Sequence, residues 1–205
     1  MKLIGMLDSP YVRRVAITAK RLGIDLDHQS VSVFRHFEQF QQINPVVKAP
    51  TLVLDDGEVL IDSTLIIEYL EALAAPGKSL MPDKLDQRLR SLRLIGLALA
   101  ACEKSVQLYY ERNLRPAEIQ FEPWVERVEG QLAAAFSALE RELEMQPLKT
   151  DGSIDQDGIT LAVAWSFTHL VVPDQVEDQP FPHISAFAAY AEGLKEFVST
   201  PMLED

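Results

Sequence analysis

The chain has 205 residues and a formal net charge of −12 at pH 7, with 47% hydrophobic and 24% charged residues. This apolar content is that of an ordinary globular protein, and it excludes an intrinsically disordered chain. At about 150 residues per domain, the length indicates one or two domains. The acidic balance disfavours binding to nucleic acids and to anionic membrane surfaces, because both carry negative charge.

The cysteine content and the hydropathy predict a cytoplasmic protein. Cys102 is the single cysteine, so the chain forms no internal disulfide and no zinc site built from several cysteines. The N-terminal residues contain no long apolar run and match a signal peptide poorly. The longest strongly apolar stretch, around residues 95–102, is too short to cross a bilayer. We therefore expect no membrane segment.

Strand and helix signals alternate over residues 1–77 and predict a small mixed α/β sheet. Ser9 is a good N-cap, Pro10 suits the first helical position, and apolar residues then recur every three or four positions. The predicted elements are a strand at Lys2–Met6, a helix from Ser9 to Gly23, a strand at 29–33, a helix at 34–42, a hairpin of Thr51–Leu54 and Glu58–Ile61 around Asp55-Asp56-Gly57, and a helix capped by Ser63. We expect this last helix to bury Leu65, Ile66, Tyr69, Leu70 and Leu73.

Prolines and a glycine at 76, 77 and 82 indicate a linker over residues 78–83, after which helical periodicity predicts an all-α bundle over 84–205. The predicted inner face of the first long helix is Leu85, Leu89, Leu92, Leu99, Cys102, Val106 and Tyr110. That of the second is Val125, Val128, Leu132, Phe136, Leu139 and Leu143. A third helix is predicted from Thr160, where Val163 replaces the acid of a capping box, and a fourth from about His183 to Phe197.

Ser9 is the first candidate for chemistry, because it lies in the turn between the first strand and the first helix. Open α/β sheets bind ligands at the carboxyl ends of parallel strands. A helix N-terminus stabilises an anion, and a hydroxyl at the same place donates one more hydrogen bond to it. The alternative interpretation is that Ser9 only caps its own helix.

Two further segments carry polar or unpaired groups. Pro50 opens a strand without donating to the ladder, so Ala49 before it presents backbone groups to an extended peptide-like ligand. Asp62-Ser63 begins another helix and offers a hydroxyl for a carboxylate and an acid for an ammonium group. Caps and turn prolines are common, so each segment also has a purely structural interpretation. The four histidines are dispersed along the chain, and we predict no metal site.

Taken together, three segments resemble the N-terminal motifs of the glutathione S-transferases, in particular bacterial serine- or cysteine-type members. They are SPYVRRV from Ser9, NPVVKAPTLV from Asn44 and IDSTLIIEYLEAL from Ile61. The ending FPHISAFAAYAEGLKEFVSTPM is similar to the family's closing helix and tail, so the resemblance covers essentially the whole chain. It implies a thioredoxin-like domain that binds glutathione, a helical domain that supplies most of a pocket for a small-molecule electrophile, and a homodimer.

The resemblance also implies roles for individual residues. Ser9 would contact the glutathione sulfur and favour its thiolate. Ala49 would pair backbone to backbone with the cysteinyl part, and the peptide bond to Pro50 would be cis. Asp62 and Ser63 would hold the γ-glutamyl end of glutathione.

Further roles follow with less local support. Lys48 would approach the glycyl carboxylate, and Cys102 and Tyr109 are candidates for the electrophile pocket, although the spacing of Cys102 favours a core thiol. Tyr110 and Arg112 are candidates for the pocket or the dimer interface.

The leading hypothesis is a glutathione transferase that acts on small apolar electrophiles. One alternative is a non-catalytic binding or regulatory protein of the same fold. A glutathione-linked isomerase or dehalogenase is disfavoured, because Asp8 and Pro10 provide no second serine or cysteine beside Ser9.

Overall fold

The computed structural model describes residues 1–176 and 181–202 of the chain. Its strands and helices in chain order are β1 Lys2–Ile4, α1 Pro10–Leu22, β2 Asp27–Gln29, α2 Phe37–Ile43, β3 Thr51–Val53, β4 Val59–Ile61, α3 Ser63–Leu73, α4 Leu85–Asn113, α5 Glu122–Met145, α6 Gln156–Val171, α7 Pro182–Glu192 and α8 Lys195–Val198. Short 3-10 helices lie at Ala117–Ile119 and Pro173–Gln175. None of the described helices is both long and apolar enough to span a membrane.

The first compact unit contains Met1–Leu80 and the segment that begins at Leu194. Its four-stranded sheet has the order β2-β1-β3-β4, with β1 parallel to β2 and antiparallel to β3. The strands β3 and β4 form the predicted antiparallel hairpin. Helices α1 and α3 pack against each other and contact β1 and β4. The predicted α/β fold of the N-terminal domain is therefore confirmed.

The prediction for α1 is confirmed, whereas the predicted position of the second strand is wrong. Helix α1 buries Val12, Val15 and Ala19 as predicted, and Gly23 ends it at a φ of 76° while its N–H bonds back to the last turn. The second strand was predicted at 29–33 and lies at Asp27–Gln29 instead. Val31 was predicted to lie in this strand, but it is a buried loop residue that packs against Ile4 and Phe40.

Helix α2 begins three residues later than predicted because Ser32 holds the preceding turn. The Ser32 hydroxyl accepts hydrogen bonds from the N–H groups of Phe34 and Arg35. Ser63 was predicted to cap α3 but is its first residue, and the capping side chain is that of Asp62, which accepts from Thr64 N.

The face that α3 buries also differs from the prediction. Leu65 and Leu73 are 57% and 48% exposed, whereas Ile67 is buried together with Ile66 and Leu70. The difference arises because the buried positions follow the side of the helix that packs on α1.

The second unit, Met81–Gly193, consists of helices α4 to α7. The predicted inner face of α5 is confirmed, since all six of its residues are buried. The predicted inner face of α4 is largely wrong, because Leu85, Leu89 and Leu92 are 82%, 67% and 53% exposed. Helix α4 packs instead against α5 and α6 through a face that includes Leu94 and the small residues Ala98, Ala101 and Ser105.

The start of α6 and the last predicted helix also differ from expectation. Helix α6 begins at Gln156, so Thr160 does not cap it and instead donates its hydroxyl to Gln156 O at 2.8 Å. The acid of the first turn is Asp157, which accepts a 2.6 Å hydrogen bond from Ser91. The helix predicted from His183 to Phe197 ends at Glu192 and resumes as α8.

The C-terminal segment belongs to the first unit, whereas the predicted helical domain extended to residue 205. Arg13 on α1 donates to Thr200 O at 2.8 Å and lies over the Phe197 ring, 5.4 Å from its centroid. Arg21 pairs with Glu196 at 3.3 Å. These contacts hold α8 on α1, and residues 203–205 lie outside the described part of the chain.

Candidate functional site

The sheet register brings the three candidate segments to one place. Ile4 at the end of β1 pairs with Thr51 at the start of β3, and Thr51 pairs with Ile61 at the end of β4. Neighbouring strands lie about 4.8 Å apart, so this row spans about 10 Å. The turn that follows β1, the loop that precedes β3 and the residues that follow β4 therefore lie side by side at one edge of the sheet.

Ser9 lies at the start of α1 with a hydroxyl that does not cap the helix. Its backbone is extended, its N–H donates to Met6 O at 3.2 Å, and its carbonyl accepts from Arg13 N at 3.0 Å. The side chain makes no capping hydrogen bond. The interpretation of Ser9 as only a cap therefore fails for its side chain, and its hydroxyl stands at the positive end of a 13-residue helix.

Gly5 lets the turn before Ser9 approach the neighbouring loop. Its φ is 138°, and a Cβ added to it would lie 2.6 Å from Val12 Cγ2 and 3.1 Å from Ala49 Cβ. Only glycine tolerates both the backbone conformation and this proximity. The loop that contains Ala49 consequently packs against the turn that carries Ser9.

A network of buried polar side chains shapes the loop over residues 44–51. Asn44 donates to Thr51 Oγ1 at 2.9 Å and accepts from Val46 N at 3.0 Å, and Thr51 donates to Lys48 O at 2.8 Å. The peptide bond between Ala49 and Pro50 is cis, as expected. Among the described residues, no hydrogen bond engages the N–H or C=O of Ala49, and its residue is only partly buried.

Asp62 has an unusual backbone conformation. Its φ is 70°, in the region that favours glycine, and such a conformation costs about 1–3 kcal/mol for other residues. One carboxylate oxygen accepts from Thr64 N at 2.9 Å. Strain of this kind is concentrated at ligand sites, where surrounding contacts hold it in place.

Two arginines near the site were not predicted from the sequence. Arg14 is 2% exposed, and its Nη1 donates to Ser63 Oγ at 3.0 Å and to Thr64 Oγ1 at 3.2 Å. Arg35 follows β2, and its Nη2 lies 3.2 Å from Met6 Sδ in the turn before Ser9. Charged residues usually lie on the surface, so the residue type of Arg14 gives no indication of its burial. Arg14 is buried because α1 is buried on nearly every side.

The remaining sequence candidates have simpler surroundings. Lys48 is exposed beside Ala49. Cys102 is 2% exposed in α4, which fits the core interpretation and leaves its place in an electrophile pocket a prediction.

In the second unit, Tyr109 and Tyr110 are 36% and 41% exposed, with ring centroids 6.3 Å apart. Arg112 pairs with Glu129 and, at 2.9 Å, with Asp174. Trp165 packs between Phe136 and Phe181 in the core.

Comparison with known proteins identifies the family. Residues 3–78 match the family description "Glutathione S-transferase, N-terminal domain". The uncharacterized GST-like protein YibF of Escherichia coli (strain K12) is 30% identical over 182 residues, which is 88% of this chain and 89% of YibF. The chain belongs to the glutathione S-transferase family.

Other members of the family extend this result. Maleylacetoacetate isomerase of Pseudomonas aeruginosa is 31% identical over 146 residues, 68% of this chain and 69% of the isomerase. A glutathione transferase family member from Pseudomonas fluorescens Pf-5, solved with bound glutathione, has a TM-score of 0.86 and 28% identity over 99% of both chains. These similarities confirm the predicted thioredoxin-like N-terminal domain with a helical C-terminal domain.

Proposed function

We propose that this chain binds glutathione in its N-terminal unit and catalyses attack of the glutathione thiolate on a small apolar electrophile. The observation that carries the proposal is the row of Ile4, Thr51 and Ile61. Beside it lie a Ser9 hydroxyl that does not cap its helix, the backbone of Ala49, which pairs with no other described residue, and Asp62 with its strained backbone. A tripeptide in extended form has the length to follow this row. The similar Pseudomonas fluorescens protein, solved with bound glutathione, supports the same ligand here.

Each end of glutathione has a chemically suitable partner. The Ser9 hydroxyl donates to the sulfur, and the backbone groups of Ala49 pair with the cysteinyl residue. The Ser63 hydroxyl donates to the carboxylate of the γ-glutamyl end, and Asp62 accepts from its ammonium group. Lys48 provides the positive charge for the glycyl carboxylate.

Stabilisation of the thiolate is the contribution to the rate that Ser9 would make. A free thiol with a pKa of about 8.5 is only about 3% ionised at pH 7, and a tenfold change in that equilibrium corresponds to about 1.4 kcal/mol. A hydrogen bond to a charged group contributes about 1.5–3 kcal/mol, and a helix N-terminus about 0.3–1 kcal/mol. Ser9 and α1 together would lower the thiol pKa by about 1.3 to 2.9 units, which raises the ionised fraction at pH 7 to roughly 40% or more.

The test is a comparison of wild type and Ser9→Ala. Calorimetric titration with reduced glutathione should give saturable binding of one molecule per chain for both proteins. The ultraviolet absorbance of the bound thiolate, followed against pH, should show a higher thiol pKa in Ser9→Ala. Turnover at pH 7 should fall about 3- to 30-fold, because the ionised fraction of an unassisted thiol is only about 3% at that pH. Equal turnover in the two proteins would remove Ser9 from the mechanism. Absence of glutathione binding to wild type would favour the non-catalytic alternative.

A glutathione-dependent isomerase is a second candidate, favoured by the similarity to maleylacetoacetate isomerase over 68% of the chain. In such a reaction the thiolate adds to a cis double bond, the resulting single bond rotates, and elimination restores both the alkene and glutathione. The two activities differ in whether glutathione is consumed. Thiol titration during turnover of a cis-enedioate and of a halogenated aromatic compound distinguishes them.

We also propose that the protein forms a homodimer. Leu85, Leu89 and Leu92 recur at helical spacing along the exposed side of α4. An exposed apolar stripe of this kind is typical of an interface between subunits. A second copy of the chain is the partner that the family relationship suggests.

A further inference from the structure

Helix α1 buries two consecutive arginines, and their surroundings differ. Arg13 and Arg14 are each 2% exposed. A buried guanidinium is destabilising by several kcal/mol unless it is well paired, so each position requires a specific reason. The contacts of Arg13 include Thr200 O and the Phe197 ring, which belong to the C-terminal segment. Arg14 reaches the first turn of α3 instead.

The bond from Arg14 determines which way the Ser63 hydroxyl points. A guanidinium has only donors, so Ser63 Oγ is the acceptor in the 3.0 Å contact with Arg14 Nη1. The proton of the Ser63 hydroxyl therefore points away from Arg14 and is available to a ligand acceptor. Because Ser63 is 4% exposed, such an acceptor would be held close to the protein and largely shielded from water.

The same guanidinium fixes the neighbouring residue. Arg14 Nη1 also donates to Thr64 Oγ1 at 3.2 Å, while Thr64 N donates to Asp62 at 2.9 Å. Three consecutive residues, Asp62 to Thr64, are thus linked to one another and to α1. The strained backbone of Asp62 is held in place by this network, and the first turn of α3 is fixed before any ligand arrives.

The charge of Arg14 adds to that of the helix end. The N-terminus of α3 favours an anion, and the guanidinium stands directly behind Ser63 with a full positive charge. We infer that Arg14 is a positioning residue for the γ-glutamyl carboxylate: it orients the Ser63 hydroxyl as a donor and supplies the positive charge behind it. This inference rests on the proposed glutathione site.

The test uses Arg14→Met with Arg13→Met as a matched control from the same helix. Calorimetric titration with reduced glutathione should show Kd raised about 10- to 100-fold by Arg14→Met, as expected for the loss of one or more charged hydrogen bonds. Arg13→Met should lower the melting temperature but leave Kd within about twofold of wild type. Adding Ser63→Ala to Arg14→Met should change Kd little further, because Arg14 acts through Ser63. A Kd for Arg14→Met within about twofold of wild type would overturn the inference.

A ligand-side experiment needs no substitution that endangers folding. A glutathione analogue whose γ-glutamyl carboxylate is converted to the carboxamide keeps an acceptor but loses the charge. Wild type should bind this analogue at least tenfold more weakly than glutathione, and equal binding would overturn the inference alone. If wild type binds neither compound, the glutathione proposal itself is overturned, and the role of Arg14 with it.

Discussion

Gly5→Ala tests whether the turn before Ser9 and the loop over residues 44–51 depend on close contact. The φ of 138° at Gly5 is strained for alanine, at about 1–3 kcal/mol. The new Cβ would also stand 2.6 Å from Val12 Cγ2 and 3.1 Å from Ala49 Cβ, and overpacking of this kind costs about 1–3 kcal/mol. We therefore expect the free energy of unfolding to fall by about 2–6 kcal/mol. Glutathione affinity should fall as well, because Ala49 must move.

Urea unfolding and calorimetric titration measure the two effects. The control is Gly96→Ala in α4, where a Cβ meets no atom within 4 Å and which should be neutral or stabilising by up to about 1 kcal/mol. Val12→Ala removes the closer clash. The double variant Gly5→Ala/Val12→Ala should therefore lose less free energy of unfolding than the sum of the losses in the two single variants. Wild-type stability and affinity in Gly5→Ala would refute the role given to this contact.

Two further changes test the loop and the subunit interface. Asn44→Ala removes the bonds to Val46 N and Thr51 Oγ1 from a buried position; urea unfolding should show a loss of about 2–4 kcal/mol, and a loss below about 0.5 kcal/mol would mean that the amide does not hold the loop. Leu89→Glu should convert the proposed dimer to a folded monomer in sedimentation velocity, because a charge in the centre of an apolar interface is destabilising. Met145→Glu, at a 73% exposed position away from that stripe, should leave the dimer intact, and a dimeric Leu89→Glu protein would exclude this face.

Periodicity predicted the helices whose one buried side consists of large apolar residues. The stripe of α5 is confirmed because its six positions are large and face one way. In α4 the core positions are partly small, and Ala98, Ala101 and Ser105 are buried because the neighbouring helices approach closely. The predicted inner face of α4 was chosen from its leucines, and several of these, including Leu89, lie on the exposed side of the helix.

Long-range contacts were beyond what local patterns predict. The C-terminal segment joins the first unit through the bond from Arg13 to Thr200, across 187 residues. All four strands have only three residues and carry little periodic signal, and the position of β2, which has no turn signal beside it like that of the hairpin, was wrong. The hairpin was predicted because Asp55-Asp56-Gly57 marks the turn itself.

The sequence suggested candidate site residues in three separate segments, and their roles stay predictions. Ser9, Ala49 and Asp62 were identified from turn and cap chemistry, and the register of β1, β3 and β4 brings their segments together. Arg14 was not among these candidates, because its proposed role depends on burial, which residue type alone does not indicate.

The site contains features that folding stability alone does not favour. A capping hydrogen bond from Ser9 would stabilise α1 by about 1 kcal/mol, yet the hydroxyl does not make it. Asp62 keeps a φ of 70° where glycine would relieve the strain. Arg14 is buried at a desolvation cost beside a serine hydroxyl. Ser9 and Asp62 lie where α1 and α3 begin, next to the same row of strand ends, and the side chain of Arg14 reaches the first turn of α3. The proposed ligand, with an anionic sulfur and a charged amino-acid end, would account for all three features together, whereas the stability of the fold gives no reason for a Ser9 hydroxyl that does not cap its helix.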